Sequence, residues 1–158
     1  MIVVMDNTFL PDDPCEIFQT IKIDEDPWKM ALVYGRELMR LTEPEKKNFW
    51  YKAELNLLVL ILLCTAKGSD DIRQFSGKRL TDAEHAAWLI HEPEYLKEYV
   101  KSEISLGMEK ECLLRPNFMA WQTSTHGVSD NVAANLAVES EIIEYLLGKY
   151  STGTDKQK

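Results

Sequence analysis

The side chains best suited to metal or acid and base chemistry are histidines with acidic neighbours. Glu84, His85 and His91 are candidates for a metal-dependent helical enzyme. Metal sites, however, need spacings that bring three or four ligands together. His85 and His91 are six positions apart, and consecutive helix positions such as Glu84 and His85 point in different directions. We therefore expect no metal site, and we expect these groups to be exposed polar side chains of a helix.

Nucleophiles and paired carboxylates also lack the neighbours that chemistry requires. Ser124, Ser129 and Ser140 have no flanking nucleophile-elbow glycines and no obvious histidine base. Glu139 and Glu141 are two positions apart, so on a helix they face different ways. Neither a GxxxxGK[ST] phosphate loop nor a GxGxxG turn occurs. The sequence predicts a chain that is not an enzyme on its own, binds no cofactor and does not hydrolyse ATP alone.

Composition indicates one acidic domain. The chain has 158 residues and is 45% hydrophobic, enough for one substantial core. Its 18 lysines and arginines oppose 26 aspartates and glutamates, and the net charge of -8 repels phosphate backbones and anionic lipids. We expect no autonomous nucleic-acid binding and no membrane contact. The longest apolar run, Leu55 to Cys64, is ten residues interrupted by Asn56, whereas a bilayer span takes about 20.

Cysteine usage and the N-terminus both favour a cytoplasmic location. Cys15, Cys64 and Cys112 are widely spaced and form no CxxC pair, which is typical of a reducing compartment. The apolar start, Met1 to Met5, is followed by acids and lacks the basic n-region and longer apolar stretch of a secretory signal.

Start signals define two helices in the first half. Asp26 can cap a helix with Pro27 at its first position, and this helix ends near Leu41. Thr42 and Glu45 have capping-box spacing and open a second helix. The apolar stripe predicted for the first helix comprises Trp28, Ala31, Leu32, Gly35, Leu38 and Met39.

The second helix, from about Glu45 to Ala66, is apolar nearly all round. Such a helix must be surrounded by others, so we expect it at the centre of the core. Gly68 can take the left-handed conformation that ends helices. Residues 68–79 are charged and non-periodic and predict a loop.

In the second half, Thr81 with Glu84 forms another capping box, and Pro93 starts a further helix. Residues 107–116 are predicted to be less regular, and Phe118 to Trp121 to begin a turn of helix. Ser129 can cap one last long helix that carries apolar residues at Val132, Ala133, Leu136, Ile143, Leu146 and Leu147.

Together these elements predict a mainly α fold, a compact bundle of about five to seven helices around the central helix 45–66. Residues 1–150 form one domain, in which 1–26 are an extended acidic lead-in. Ile2 to Val4 have the character of one short strand, either cut from a larger sheet or part of a frayed terminus. Residues 151–158 are polar and predict a disordered tail.

Acidic residues are the candidates for protein docking. Residues 1–27 carry Lys22 as their only basic side chain against seven acids, which suits a basic partner. The alternative is that these acids solvate a loop and cap a helix. A second candidate surface lies at 70–79. The predicted docking residues are Asp12, Asp13, Asp24, Glu25, Asp26, Asp70 and Asp71.

The run 48–61, with its Phe49-Trp50 pair, the Ala53-Glu54 pair and a leucine-rich continuation, resembles the type IV secretion coupling proteins of conjugation. In that family such a run opens an all-helical domain. The acidic approach over residues 13–26 and the run 131–136, Asn-Val-Ala-Ala-Asn-Leu, also resemble that domain and its return toward the motor. Residues 67–117 carry no such likeness.

The resemblance implies a membrane-anchored, DNA-translocating ATPase whose helical domain faces the cytoplasm. That domain recognises a relaxase, a relaxosome accessory protein or a secretion substrate, and packs on the parent motor domain. This sequence carries no nucleotide motif and no membrane span, so we expect an excised recognition domain. A free-standing helical adaptor or regulator is the alternative hypothesis, and genomic context away from transfer genes would favour it.

Overall fold

The structure is a computed structural model, and it describes residues 10–42, 49–68, 80–123, 128–138 and 140–149. Within these ranges the regular structure is entirely α-helical, which confirms the mainly α fold. The predicted strand at 2–4, the predicted loop at 69–79 and the predicted tail at 151–158 lie outside the described residues. The helices are α1 (Cys15–Ile23), α2 (Pro27–Met39), α3 (Phe49–Lys67), α4 (Asp82–His91), α5 (Pro93–Ile104), α6 (Met108–Gln122), α7 (Val128–Ala137) and α8 (Ser140–Leu146).

α1 occupies part of the segment for which an extended lead-in is predicted, so that prediction was wrong over residues 15–23. Ile17, Phe18 and Ile21 lie on one side of α1 and are fully buried. Their spacing is a short helical stripe, and burial against α2, α3 and α4 stabilises a helix that is too short to be stable alone.

α2 begins as predicted. The Asp26 side chain accepts a hydrogen bond from the Lys29 amide at 3.2 Å, and Pro27 is the first helical residue. Ala31, Leu38 and Met39 are fully buried, as the apolar stripe requires. Trp28 is the exception, because it is 42% exposed where the stripe predicts a core position.

α3 packs against α1, α2, α4, α6 and α7. Its residues from Leu57 to Cys64 are all buried, on every side of the helix. The predicted capping box before α3 is not described, because Glu45 lies outside the described residues. The Thr42 hydroxyl donates to the Met39 carbonyl at 2.9 Å.

The glycine after α3 has a different role from the one predicted. Gly68 does not adopt a left-handed conformation, since the positive φ angles of the described residues occur at Gly107 and Gly148. A Cβ atom at Gly68 would overlap the Tyr99 hydroxyl and the Cys64 carbonyl. The position therefore needs glycine because α5 approaches the end of α3 closely.

α4 and α5 follow their predicted start signals. Thr81 and Glu84 form a complete capping box, with the Glu84 carboxylate accepting from the Thr81 amide at 2.9 Å and the Thr81 hydroxyl accepting from the Glu84 amide at 3.1 Å. Pro93 is the first residue of α5, which buries Leu96 and Val100.

α6 is a continuous helix across residues that were predicted to be irregular. Gly107 precedes it with φ 154°, a conformation that side-chain-bearing residues rarely adopt. Pro116 lies inside the helix. The helix continues because Leu114, Phe118 and Trp121, at i, i+4 and i+7, are buried on one face. The apolar stripe outweighs the helix-breaking effect of Pro116, whereas Gly107 lies before the helix.

The single last helix that was predicted is divided into α7 and α8, and Ser129 is the second residue of α7 rather than its cap. The buried residues of α7, such as Val132 and Leu136, and those of α8, such as Ile142 and Tyr145, would fall on different sides of one straight helix. Both sets reach the core because the chain turns at Val138, which is 75% exposed.

Candidate docking site

The predicted acidic docking residues lie at the two ends of α1. Asp12 and Asp13 are exposed just before the helix, and Glu25 and Asp26 are exposed just after it, next to the partly exposed Asp24. The ends of α1 are separated by its nine residues, or about 13 Å at the helical rise per residue. The other two predicted residues, Asp70 and Asp71, lie outside the described residues.

Three of these carboxylates form local turns and caps. Asp13 accepts from the Cys15 amide at 3.0 Å, Asp24 from the Asp26 amide at 2.8 Å, and Asp26 from the Lys29 amide. The alternative interpretation, in which the acids cap helices, therefore describes these three well. Asp12 and Glu25 remain the acids whose exposed carboxylates suit contact with a partner.

A residue of α8 contacts the acidic segment that precedes α1. The Tyr145 hydroxyl donates to the Pro11 carbonyl at 2.5 Å, which joins residues far apart in sequence. Burial raises the pKa of Tyr145, and the nearby Asp13, Tyr34, Asp12 and Glu16 raise it further. The phenol thus stays protonated and holds the segment that carries Asp12 and Asp13.

The three residues considered for metal chemistry do not form a site. His85 is fully buried, which contradicts the prediction of an exposed side chain; its Nδ1 lies 3.3 Å from the Thr65 hydroxyl. Glu84 is committed to the capping box, and His91 is exposed at the end of α4. Among the described residues no group of three or more His, Cys, Asp or Glu side chains could hold a metal ion.

A groove of about 350 Å³ lies between the start of α2, the first half of α3 and the middle of α6. Trp28 forms one wall, and Cys112 and Pro116 of α6 are exposed on the other. We call this feature the Trp28 groove. Its lining residues are Trp28, Asn56, Cys112, Leu113, Pro116 and Asn117.

A hydrogen-bonded amide pair holds the Trp28 wall in place. The Trp28 indole N–H donates to Asn117 Oδ1 at 2.9 Å. The Asn117 amide nitrogen donates to Asn56 Oδ1 at 2.8 Å and to the Asn56 carbonyl at 3.2 Å. Asn56 in turn donates to the Asn117 carbonyl at 3.1 Å. These bonds fix the indole ring relative to α3 and α6, although the ring is partly exposed.

The opposite wall contains an irregular backbone position. Because Pro116 has no amide hydrogen, the i to i+4 bond to the Cys112 carbonyl cannot form. Cys112 and Pro116 both line the groove. An interior proline that costs helix stability without a local structural benefit often marks a functional surface.

The sequence carried two signals of this groove. Asn56 interrupts the apolar run of α3, and an asparagine within an otherwise buried helix segment must find hydrogen-bond partners. Pro116 interrupts the apolar periodicity of α6. Neither signal identifies Trp28 as the third member, because the spacing of α2 assigns Trp28 to the core face.

No protein-family model, curated protein or solved structure matches this chain. Among the described residues, no helix has both the length and the apolar character needed to cross a membrane.

Proposed function

We propose that this chain is a protein-docking module that binds its partner at the Trp28 groove and has no catalytic activity of its own. The observation that carries the proposal is an exposed tryptophan ring held in place by the buried Asn117, which is itself hydrogen-bonded to the partly buried Asn56. Tryptophan side chains are over-represented among the residues that dominate protein interfaces. A ring that is already ordered loses little conformational entropy on binding.

The acidic residues at the start of α2 extend this surface. Glu25 and Asp26 directly precede Pro27 and Trp28 and both are exposed, so a partner seated on Trp28 would also approach their carboxylates. Asp12 and Asp13 lie at the far end of α1 and would contact a larger partner. Charge at the rim of an interface acts mainly on the association rate and makes it sensitive to salt.

The specific form of the proposal is a recognition domain of a conjugative coupling protein, working on the cytoplasmic side of the membrane. The resemblance of residues 48–61 supports it, and α3 is the helix that this run forms over its described part. The partner would then be a relaxase, a relaxosome accessory protein or a secretion substrate, and the role would be to deliver it for DNA transfer.

Calorimetric titration of the purified chain with the relaxase and the accessory protein encoded beside its gene tests the proposal. We expect binding that weakens as salt is raised and that Asp12→Asn and Glu25→Gln reduce modestly. Binding to neither protein, with Trp28 and the fold intact, would reject the coupling-protein role. Binding that is insensitive to every change in the groove would place the docking surface elsewhere.

A further inference from the structure

The apolar surface beside the Trp28 groove continues along the outer face of α6. Met108, Cys112, Pro116 and Met119 are all exposed, and their spacing of four, four and three residues places them on one side of the helix. Met108 is 74% exposed and Met119 is 37% exposed. The stripe is about 16 Å long at the helical rise per residue. The stripe shares Cys112 and Pro116 with the groove and extends along about three turns of α6.

The shape of this surface suits a helix. The described elements contain no strand, so they offer no sheet edge to which an extended peptide could add. An amphipathic helix can instead place its apolar side chains in the groove between two helices. Three turns of stripe match about 11 residues of such a helix.

The charged residues near this surface determine which charge the partner should carry. Glu25 and Asp26 precede Trp28, and Glu109 lies one turn before Cys112 on the groove side of α6. Lys29 and Lys52 are the lysines nearest in sequence to Trp28 and Asn56. In the segments that form the groove, these three exposed carboxylates outnumber the two exposed ammonium groups.

The other charged residues of α6 do not alter this balance, because Lys110 pairs with Glu103 of α5 and Arg115 pairs with Glu111. Glu111 accepts from Arg115 at 2.8 Å, so the two charges largely neutralise each other. The whole chain, these residues included, carries a net charge of -8, which attracts basic segments at long range.

We infer that the occupant of the Trp28 groove is a basic amphipathic helix of a partner protein, an inference that rests on the docking function proposed above. Its apolar face lies on Trp28, Pro116 and Met119, and its lysines or arginines face Glu25 and Glu109.

Three synthetic peptides of about 14 residues test this inference. They share one leucine face and carry lysine, glutamine or glutamate on the polar face. Each is titrated into the isotopically labelled chain at low and moderate salt. The Trp28 indole N–H resonance is followed by NMR, and the backbone amide resonances of α6 give the affinity in the variant that lacks the indole. Trp28→Ala is the test variant. Leu147→Ala is the matched control, because Leu147 is 40% exposed and Trp28 is 42% exposed.

We expect the lysine peptide to shift the Trp28 indole resonance and to bind at least about tenfold more tightly than the glutamate peptide. The Trp28→Ala substitution should weaken binding of the lysine peptide about tenfold or more, and Leu147→Ala should leave that affinity unchanged. Equal binding of the lysine peptide to the Trp28→Ala variant would overturn the inference, because attraction to the acidic chain alone would then explain it.

The other outcomes separate this inference from the docking function. If the glutamine or glutamate peptide binds the groove as well as the lysine peptide, docking stands and the basic character of the partner is rejected. If no peptide shifts the indole resonance, the helical occupant is rejected, whereas the docking function is decided separately by titration with the relaxase and accessory protein.

Discussion

Asn117 is the residue on which the form of the Trp28 groove depends. It is 6% exposed, and its side chain both accepts from the Trp28 indole and donates to Asn56. A buried polar group of this kind is stable only while its partners remain. Its side chain therefore connects α2, α3 and α6 at the candidate site.

Replacing Asn117 with alanine should lower the free energy of unfolding by about 2 kcal/mol, because the Trp28 indole and the partly buried Asn56 side chain both lose their partner. It should also increase the mobility of the Trp28 ring. Urea denaturation measures the first effect, and the line width of the indole N–H resonance measures the second. Asn131→Ala on the exposed side of α7 is the control. Unchanged stability and an unchanged indole signal would contradict this role for Asn117.

The cysteines should differ sharply in reactivity. Cys112 is exposed, whereas Cys64 is buried and its pKa is raised by burial, with Glu103 raising it further and Lys110 opposing the shift. Since the thiolate is the reactive form, native protein treated with iodoacetamide should be alkylated at Cys112 long before Cys64. Mass spectrometry of the digested protein gives the order, and unfolding in urea should abolish the difference. Alkylation of Cys64 at the rate of Cys112 in native protein would disprove the burial.

Local sequence signals identified some residues of the site and missed others. Asn56 was visible as a polar break in an apolar run. Trp28 was assigned to the wrong face because it is the second residue of α2, where the side chain tilts back past the end of the helix. The burial of His85 could not be read from spacing, because it depends on how α3 and α5 enclose α4.

At the scale of elements, Pro116 is the clearest conflict between local preference and tertiary structure. An interior proline removes a hydrogen bond and crowds the preceding turn, at a cost of about 3 kcal/mol. The buried stripe of Leu114, Phe118 and Trp121 offsets this cost and keeps α6 continuous.

Pro116→Ala should therefore stabilise the protein, by about 1 to 3 kcal/mol in the free energy of unfolding, because the bond to the Cys112 carbonyl can then form. The same variant should weaken binding of a partner whose contacts include the Pro116 ring. Thermal and urea denaturation measure stability, and calorimetry measures binding. Ala120→Gly, on the exposed side of the same helix, is a control that should destabilise the protein by about 1 kcal/mol. A stability loss in Pro116→Ala would show that the proline is structurally required.

Capping signals predicted three helix starts, and the predicted ends of α2 and α3 lie within two residues of the observed ones, but Ser129 does not cap α7. Asp26 with Pro27, Thr81 with Glu84, and Pro93 all begin helices where expected, because caps act locally. α1 was missed because its nine residues depend on burial in the tertiary structure. The turn between α7 and α8 was missed because two apolar stripes out of phase were treated as one.

At the scale of the whole molecule, Tyr145 joins the two ends of the described chain through its bond to the Pro11 carbonyl. Burial and the adjacent Asp13, Tyr34, Asp12 and Glu16 raise the pKa of Tyr145 above its ordinary value of 10.0. The unfolded phenol ionises near its ordinary pKa, whereas the folded phenol stays neutral at that pH. This contribution to stability is therefore complete below about pH 10 and is lost as the pH rises beyond it.

Tyr145→Phe should reduce stability near pH 7 by about 1 kcal/mol, through loss of the bond to Pro11. It should also flatten the decline of stability between about pH 9 and pH 11, since the titrating group is gone. Burial raises the pKa of Tyr95 as well, so part of the decline should remain. Urea denaturation across this pH range measures both effects. Parallel pH profiles for wild type and variant would show that Tyr145 does not titrate differently in the folded state.

The negative charge of the whole molecule and the apolar Trp28 groove have different roles in the proposed docking. Charge steers a basic partner and is weakened by salt, whereas the groove supplies the affinity that keeps the partner bound. The amino-acid composition predicted the negative charge. The groove depends on the packing of α2, α3 and α6, which only the structure shows.

The most direct test is calorimetric comparison of wild type, Trp28→Ala and Leu147→Ala for binding to the proposed partners, a relaxase and its accessory protein. Docking at the groove predicts that Trp28→Ala weakens binding about tenfold or more, while Leu147→Ala, at an equally exposed apolar position, has no effect. Equal affinities for all three proteins would contradict the assignment of the Trp28 groove as the docking site.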